Sequence, residues 1–171
     1  THLWVAADSE SERGSAFVAN MPTEEVFTAA LKTGVSGKVS STKPLSYGGN
    51  IIDNFTLTFE NGRIVDVKAE KGEETLKRLV EMDEGSHYIG EVALVPHKSP
   101  ISESGILYYN TLFDENASNH LAIGSAYAFN IEGGKTMSRE ELAEAGINQS
   151  LAHVDFMIGS AEMNIDGITE D

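Results

Sequence analysis

Cysteine, basic residues and long hydrophobic runs are missing or scarce in this 171-residue chain. Because there is no cysteine, disulfides, thiolate zinc sites, iron–sulfur clusters and a cysteine nucleophile are all excluded, and a reducing cytoplasm is the expected location. The chain has only 12 lysines and arginines against 27 aspartates and glutamates, a formal charge of −15. Nucleic acids and anionic lipids require a basic surface, so neither is an expected partner. No apolar run approaches the ~18–20 residues of a membrane span, so no membrane insertion is expected.

The length and composition predict one globular domain over residues 1–171. Hydrophobic residues make up 40% of the chain, an ordinary share for a domain that can bury its own core. The chain begins at Thr1 without a methionine and ends at Asp171 in a polar stretch. We therefore expect it to be a piece of a longer protein.

The clearest local structure is a β-hairpin over residues 51–69. Alternating apolar and polar residues flank Asn61-Gly62, the preferred two-residue hairpin turn. This turn predicts that Glu60 lies opposite Arg63 and forms an ion pair with it.

Two helices are also predicted from their spacing and end residues. The first spans 72–82 and buries a stripe of apolar side chains, Leu76, Leu79 and Val80. The second spans 139–145 and begins with the capping box of Ser138 and Glu141. Strands and helices alternate irregularly, which favours an α+β fold with a mixed, largely antiparallel sheet packed with a few helices.

A strand predicted at 151–158 has one polar face. His153 and Asp155 project to that face about 7 Å apart along the strand, while the opposite face is wholly apolar and must be buried. This position suits metal ligation. A structural hydrogen bond between the two side chains is the alternative.

A second strand, predicted at 88–95, carries Glu91 among apolar residues. Strict alternation puts Ile89 and Glu91 on one face and Val92 on the other. A carboxylate in such a setting is rarely tolerated unless it is paired or bound to a cation, which favours a functional role.

The segment Asp114–Tyr127 predicts a helix capped by Asn116. On that helix His120 and Tyr127 share a stripe, with Gly124 making room between them, and Glu115 lies near the helix N-terminus. A core histidine with a capping carboxylate is the alternative to a functional pair.

Two adjacent acids, Glu24 and Glu25, complete the candidates, and one of them is expected to face inward. The combined set has four carboxylates and two imidazoles: Glu25, Glu91, Glu115, His120, His153 and Asp155. Oxygen and nitrogen donors of this kind suit Zn²⁺, Co²⁺ or Mn²⁺, and six exceed the needs of one tetrahedral ion. Two ions ~3.5–4 Å apart form the arrangement that many hydrolases use.

At the level of motifs, the chain resembles the aminopeptidase T / PepS family of bacterial metallo-aminopeptidases. The resemblance runs over essentially the whole chain and is carried by five segments in order: Asn20–Thr28, Ser41–Ser46, Glu84–Pro96, Leu112–Ala122 and His153–Gly159. It implies a cytoplasmic, homodimeric exopeptidase that acts on peptides with a free N-terminus. It also implies that this chain is the C-terminal, metal-binding domain, without the family's N-terminal domain.

The resemblance further implies a role for each candidate. The six residues above would bind two divalent ions, with Glu91 bridging, and Tyr127 would assist catalysis by a hydroxide held between the ions. Glu24 stays open as a general base. Two other interpretations also stay open: a metal-dependent hydrolase of another bond, such as a phosphoester, for which no convergent arginines or lysines are evident, and an acidic metal-binding or dimerisation fragment without activity.

Overall fold

The computed structural model describes residues 2–6, 8–10, 13–18 and 22–168. Thr1, Asp171 and the Asn20-Met21 start of the first motif lie outside the described residues. Eleven strands are present in this part of the chain: β1 Val5–Ala6, β2 Asp8–Glu10, β3 Ala16–Val18, β4 Val26–Thr28, β5 Gly37–Ser40, β6 Leu45–Tyr47, β7 Asn50–Glu60, β8 Arg63–Lys71, β9 Ile89–Leu94, β10 His120–Gly124 and β11 His153–Met157.

Helices are few and short. The described residues form four α-helices, α1 Glu73–Val80, α2 Pro100–Ser104, α3 Thr111–Asp114 and α4 Arg139–Glu144. Four single turns of 3-10 helix lie at Gly85–His87, Glu115–Ala117, Ala128–Asn130 and Gly134–Thr136. No helix in the described ranges has the length and apolarity to cross a membrane.

The strands form two larger sheets and one small ribbon. The first sheet has the order β1-β4-β9-β10-β11, and the second is built on β7, which pairs with β5, β6 and β8. All of these pairings are antiparallel. The predicted α+β class with a largely antiparallel sheet is therefore confirmed.

The main hydrophobic core lies between the two larger sheets and beneath α1. Phe55 from β7 meets Phe156 from β11 with ring centroids 5.4 Å apart, and both are fully buried. Fully burying one such side chain contributes about 1.5–3 kcal/mol. This core covers one face of the first sheet, so the other face is free to carry polar side chains.

The predicted hairpin and both predicted helices are present. Asn61 and Gly62 have φ of 49° and 87°, as a tight two-residue turn between β7 and β8 requires. Helix α1 buries the three predicted side chains, and α4 has the complete capping box. The predicted ion pair is wrong: Glu60 lies opposite Arg63, but the guanidinium donates to Glu84 at 2.7 Å.

The helix predicted for Asp114–Tyr127 is wrong. The chain leaves helical structure after Ala117, and His120–Gly124 form β10, the strand between β9 and β11. Pairing on both sides supplies every backbone group of this segment with a partner, which outweighs its local preference for helix. Gly124 does not separate two side chains; a Cβ there would lie 2.2 Å from the Ala152 carbonyl oxygen.

The two faces of β9 also differ from the predicted alternation. The ladder pairs Ala122 with Glu91 but Ile123 with Ile89, so Gly90 is an extra residue without an opposite partner. This bulge turns Ile89 into the main core while Glu91 faces the opposite side of the sheet. A side chain on Gly90 would collide with the Gly124 carbonyl oxygen at 2.4 Å.

Asp83 links the segments that precede β9 and β11 by hydrogen bonds. One of its oxygens accepts hydrogen bonds from the Ser86 amide at 2.8 Å and the Ser150 hydroxyl at 2.8 Å, and the other accepts from the Leu151 amide at 2.6 Å. Desolvation alone would raise the pKa of Asp83, but these hydrogen bonds lower it to about 2. The charged carboxylate therefore fixes where both strands begin.

Replacing Asp83 by asparagine is expected to lower the free energy of unfolding by about 1–3 kcal/mol, because hydrogen bonds to a charged group are lost. The contribution of Asp83 is present above its unfolded pKa of about 3.8 and is lost as the pH falls towards 2. Chemical denaturation at pH 7 and pH 3 measures both effects. Asp66→Asn, at an exposed ion pair, is the control, and equal losses in the two variants would contradict the assignment.

Candidate metal centre

The six acidic and histidine residues predicted from the sequence converge on the polar face of the first sheet. They come from five places: Glu25 precedes β4, Glu91 is in β9, Glu115 is in the 3-10 turn before β10, His120 begins β10, and His153 and Asp155 are in β11. Five of them are nine-tenths buried or nearly so, and the His153 side chain is the most open at 24% exposure.

Strand register explains why residues so distant in sequence meet. Ala122 in β10 lies opposite Glu91 of β9 on one side and Asp155 of β11 on the other. Side chains of directly opposed residues project to the same face, so both carboxylates flank Ala122. Its single methyl group leaves the space between them open.

Interatomic distances divide the cluster into three overlapping groups of potential ligands. These groups are Glu25–Glu91–His120, Glu91–His153–Asp155 and Glu115–His120–Asp155, each with its donor atoms within 4.8 Å of one another. The two oxygens of Glu91 face different histidines: Oε1 is 3.5 Å from Nε2 of His120 and Oε2 is 3.7 Å from Nε2 of His153. Glu91 thus lies between the two halves of the cluster.

Backbone carbonyls orient both imidazoles. Nδ1 of His120 is 3.0 Å from the Ser118 carbonyl oxygen, and Nδ1 of His153 is 2.7 Å from the Ser125 carbonyl oxygen. A carbonyl can only accept, so Nδ1 carries the hydrogen and, in the neutral ring, Nε2 presents a lone pair. Both lone pairs point at carboxylates, an arrangement that a cation between them stabilises.

Burial and crowding shift the pKa values of this cluster. Desolvation raises the pKa of Glu115 to about 10, and the neighbouring charge of Asp155 adds to the rise. Desolvation also raises the pKa of Glu91. For His120 desolvation acts downward, but the adjacent carboxylates of Glu25 and Glu91 raise its pKa well above the ordinary value. Each of these raised pKa values means that a bound proton, or a cation in its place, stabilises the cluster.

The donor set fits divalent cations. Three buried atoms, Glu25 Oε2, His120 Nε2 and Asp155 Oδ1, have no hydrogen-bond partner, although Nε2 and Oε2 are only 2.8 Å apart. Buried polar atoms without partners cost free energy, and coordination of a cation satisfies them. Carboxylate oxygens with imidazole nitrogens are the ligands expected for Zn²⁺, Co²⁺ or Mn²⁺.

Tyr127 lies at the open end of the cluster, after β10. Its ring centroid is 4.9 Å from that of His153, and the residue is 42% exposed. Desolvation and the nearby carboxylates raise the pKa of Tyr127 to about 12, so its hydroxyl keeps its hydrogen and acts as a donor at neutral pH. The predicted helical stripe of His120 and Tyr127 is wrong, and the histidine that Tyr127 contacts is His153.

Several features of this site escaped sequence reasoning. Phe129 stacks on Tyr127 at 5.1 Å, and Phe27 meets both rings edge-on. The isolated Gly90 beside Glu91 is a recognisable sign of a bulge within a strand. Of the two adjacent acids, Glu25 enters the cluster, while the Glu24 amide donates to the Asn116 side chain at 2.7 Å.

Replacing Glu115 by glutamine is expected to stabilise the chelator-treated protein at alkaline pH. The unfolded carboxyl ionises near pH 4.5 and the folded one near 10, so the unfolded state of the parent gains stability as the pH rises between these values. Glutamine removes that dependence. Melting temperatures from pH 6 to pH 9 should therefore diverge in favour of the variant, and parallel curves would contradict the crowding described above.

Comparison with known proteins finds a metalloprotease family and several aminopeptidases that are similar to this chain. The family model described as "Thermophilic metalloprotease (M29)" matches residues 1–171. Aminopeptidase AmpS of Bacillus subtilis is 77% identical over 170 residues, and aminopeptidase 2 of Geobacillus stearothermophilus is 58% identical. These matches cover 99% of this chain but only 42% and 41% of those proteins.

A solved structure is also similar. Wild-type AmpT from Thermus thermophilus superposes with a TM-score of 0.87 at 46% identity, over 94% of this chain and 39% of that one. The chain thus spans about two fifths of the length of the relatives that it matches. The family match covers every residue and confirms the resemblance found in the motifs, so the chain belongs to the M29 family of metalloproteases.

Proposed function

We propose that this chain is the C-terminal, metal-binding domain of a metallo-aminopeptidase that removes N-terminal residues from peptides. The proposal rests mainly on the convergence of four carboxylates and two imidazoles on one sheet face. Three of their buried oxygen and nitrogen atoms have no hydrogen-bond partner. Membership of a metalloprotease family and the aminopeptidase names of the relatives support it. Since the relatives are more than twice as long, we propose that an N-terminal domain completes the enzyme.

The cluster would hold two divalent ions, Zn²⁺, Co²⁺ or Mn²⁺. Glu91 would serve both, because its two oxygens face the two halves of the cluster. The remaining ligands would be Glu25, Glu115, His120, His153 and Asp155. Two dications carry four positive charges, which balance the four ligand carboxylates. When bound, such ions lower the pKa of a shared water and polarise the scissile carbonyl.

The chain's own residues would position the peptide. The hydroxyl of Tyr127 would donate a hydrogen bond to the oxyanion that forms at the scissile carbonyl. A free carboxylate or a metal would bind the α-amine of the substrate, which restricts cleavage to the first peptide bond. The ring of Tyr127 packs against His153 and Phe129, so the hydroxyl approaches the cluster from its open end. A homodimer in the cytoplasm is the assembly and location that we propose.

Metal binding is tested on the full-length protein by elemental analysis and thermal denaturation. A metal at 100 times its Kd stabilises the fold by about 2.7 kcal/mol, a rise in melting temperature of about 3 °C for a protein as long as the relatives. We expect two equivalents of metal in the parent and fewer in Glu91→Gln. Glu144→Gln, at an exposed helix end, is the matched control. A parent that takes up no metal under any loading condition would overturn the ligand assignment.

Cleavage is tested with leucine p-nitroanilide and the Tyr127→Phe variant. Loss of one oxyanion donor lowers kcat about 100-fold or more, while the metal content should not change. Tyr109→Phe, at an exposed tyrosine, controls for the substitution itself. An unchanged kcat in Tyr127→Phe would remove Tyr127 from the mechanism. Metal uptake by the parent without any cleavage would refute the aminopeptidase function.

A further inference from the structure

A small cavity of about 120 Å³ lies beside the metal centre. An apolar cavity of roughly 150 Å³ is large enough to bind benzene, so this cavity has room for a small side chain. The walls are mainly apolar, and two charged residues complete them: Lys43, Ile101, Ile106, Leu107, Asp114 and Met157 are among the lining residues.

Two residues that line this cavity are close in sequence to residues of the cluster, so the cavity lies beside it. Met157 follows Asp155 by two residues on the same face of β11, a separation of about 7 Å. Ala117, which also lines the cavity, follows Glu115 by two residues. The cavity therefore lies next to the Glu115–His120–Asp155 group, whereas Tyr127 lies next to His153.

Lys43 stands out among the cations of the described residues. Three lysines and arginines there are partly buried: Lys32, Lys43 and Arg63. Lys32 lies over the ring of Tyr88 at 4.5 Å, and Arg63 pairs with Glu84. Lys43 forms no ion pair or side-chain hydrogen bond with any described residue. A lysine that lines a cavity and has no such partner is available to pair with an anionic ligand.

The backbone holds Lys43 at the cavity. The Thr42 amide donates to the Met157 carbonyl oxygen at 2.9 Å, and the Thr42 hydroxyl donates to the Gly159 carbonyl oxygen at 2.8 Å. Asp114 shares the cavity but is already satisfied, since its carboxylate accepts from the Tyr108 amide at 2.7 Å and the Asn110 amide at 3.1 Å. Lys43 thus brings to the cavity a positive charge that does not pair with Asp114.

We infer that this cavity binds the leaving residue of a short peptide, with Lys43 recognising its free C-terminal carboxylate. The inference rests on the proposed aminopeptidase function. In a dipeptide the amine and the carboxylate lie on opposite sides of the scissile bond, so a carboxylate-rich cluster at one end and an ammonium at the other are complementary to it. The apolar walls would accommodate the side chain of the leaving residue.

Steady-state kinetics of the full-length, metal-loaded protein test this subsite. For Lys43→Met we expect KM for Leu-Leu to rise about tenfold or more with little change in kcat, because a charge-assisted contact is lost. KM for Leu-Leu amide, which lacks the carboxylate, should not change. Lys43→Arg should restore most of the affinity for Leu-Leu. Lys38→Met, at an exposed lysine in β5, is the matched control.

Direct binding gives a readout that does not depend on turnover. N-acetyl-leucine has a blocked amine and a free carboxylate, so calorimetry should detect its binding to the parent but not to Lys43→Met. N-acetyl-leucinamide should bind both proteins equally weakly. Equal KM changes for Leu-Leu and its amide, or equal binding of N-acetyl-leucine by parent and variant, would overturn the inference. Failure of the parent to cleave leucine p-nitroanilide would instead refute the proposed function.

Discussion

Mutual repulsion among four carboxylates in a buried space is the constraint on which this structure depends. Glu25, Glu91, Glu115 and Asp155 are held close together by strands that are fixed through backbone hydrogen bonds and a well-packed core on the opposite face. At low effective dielectric such crowding is costly, so protonation or bound cations must offset it. The raised pKa of Glu115 and the unpartnered donor atoms are two expressions of the same imbalance.

The two faces of the first sheet have different roles, since one contributes to the hydrophobic core and the other carries the cluster. One face packs Phe156, Val154 and Ile123 into the main core, and the other face presents the cluster. Because antiparallel register fixes which side chains are neighbours, residues from three strands reach the same place without any loop having to position them. The backbone carbonyls of Ser118 and Ser125, on either side of β10, then orient the two imidazoles.

Sequence reasoning succeeded where local chemistry determines structure. The Asn61-Gly62 turn, the stripe of α1 and the capping box of α4 each rely on neighbours within a few residues. It failed for His120–Gly124, which is a strand because of partners about 30 residues away on either side. The candidate site residues were found even so, since a histidine or carboxylate among apolar residues is unusual whatever element carries it.

The acidity of the chain has two origins that the fold separates. Four of the 27 acids are gathered in the cluster, where they create a need for positive charge. Most of the others lie on the surface, where solvent screens them and they contribute solubility. Lys43 places one positive charge near the buried acids, at a cavity beside the cluster.

The bulge at Gly90 allows Ile89 and Glu91, which are two residues apart in sequence, to face opposite sides of the sheet. A regular ladder that paired residue 90 would put Ile89 and Glu91 on the same face, so either Ile89 would leave the core or Glu91 would leave the cluster. Any side chain at position 90 would meet the Gly124 carbonyl oxygen, so the bulge tolerates only glycine in its present shape. One glycine therefore sets both the packing of the core and the position of a carboxylate on the polar face.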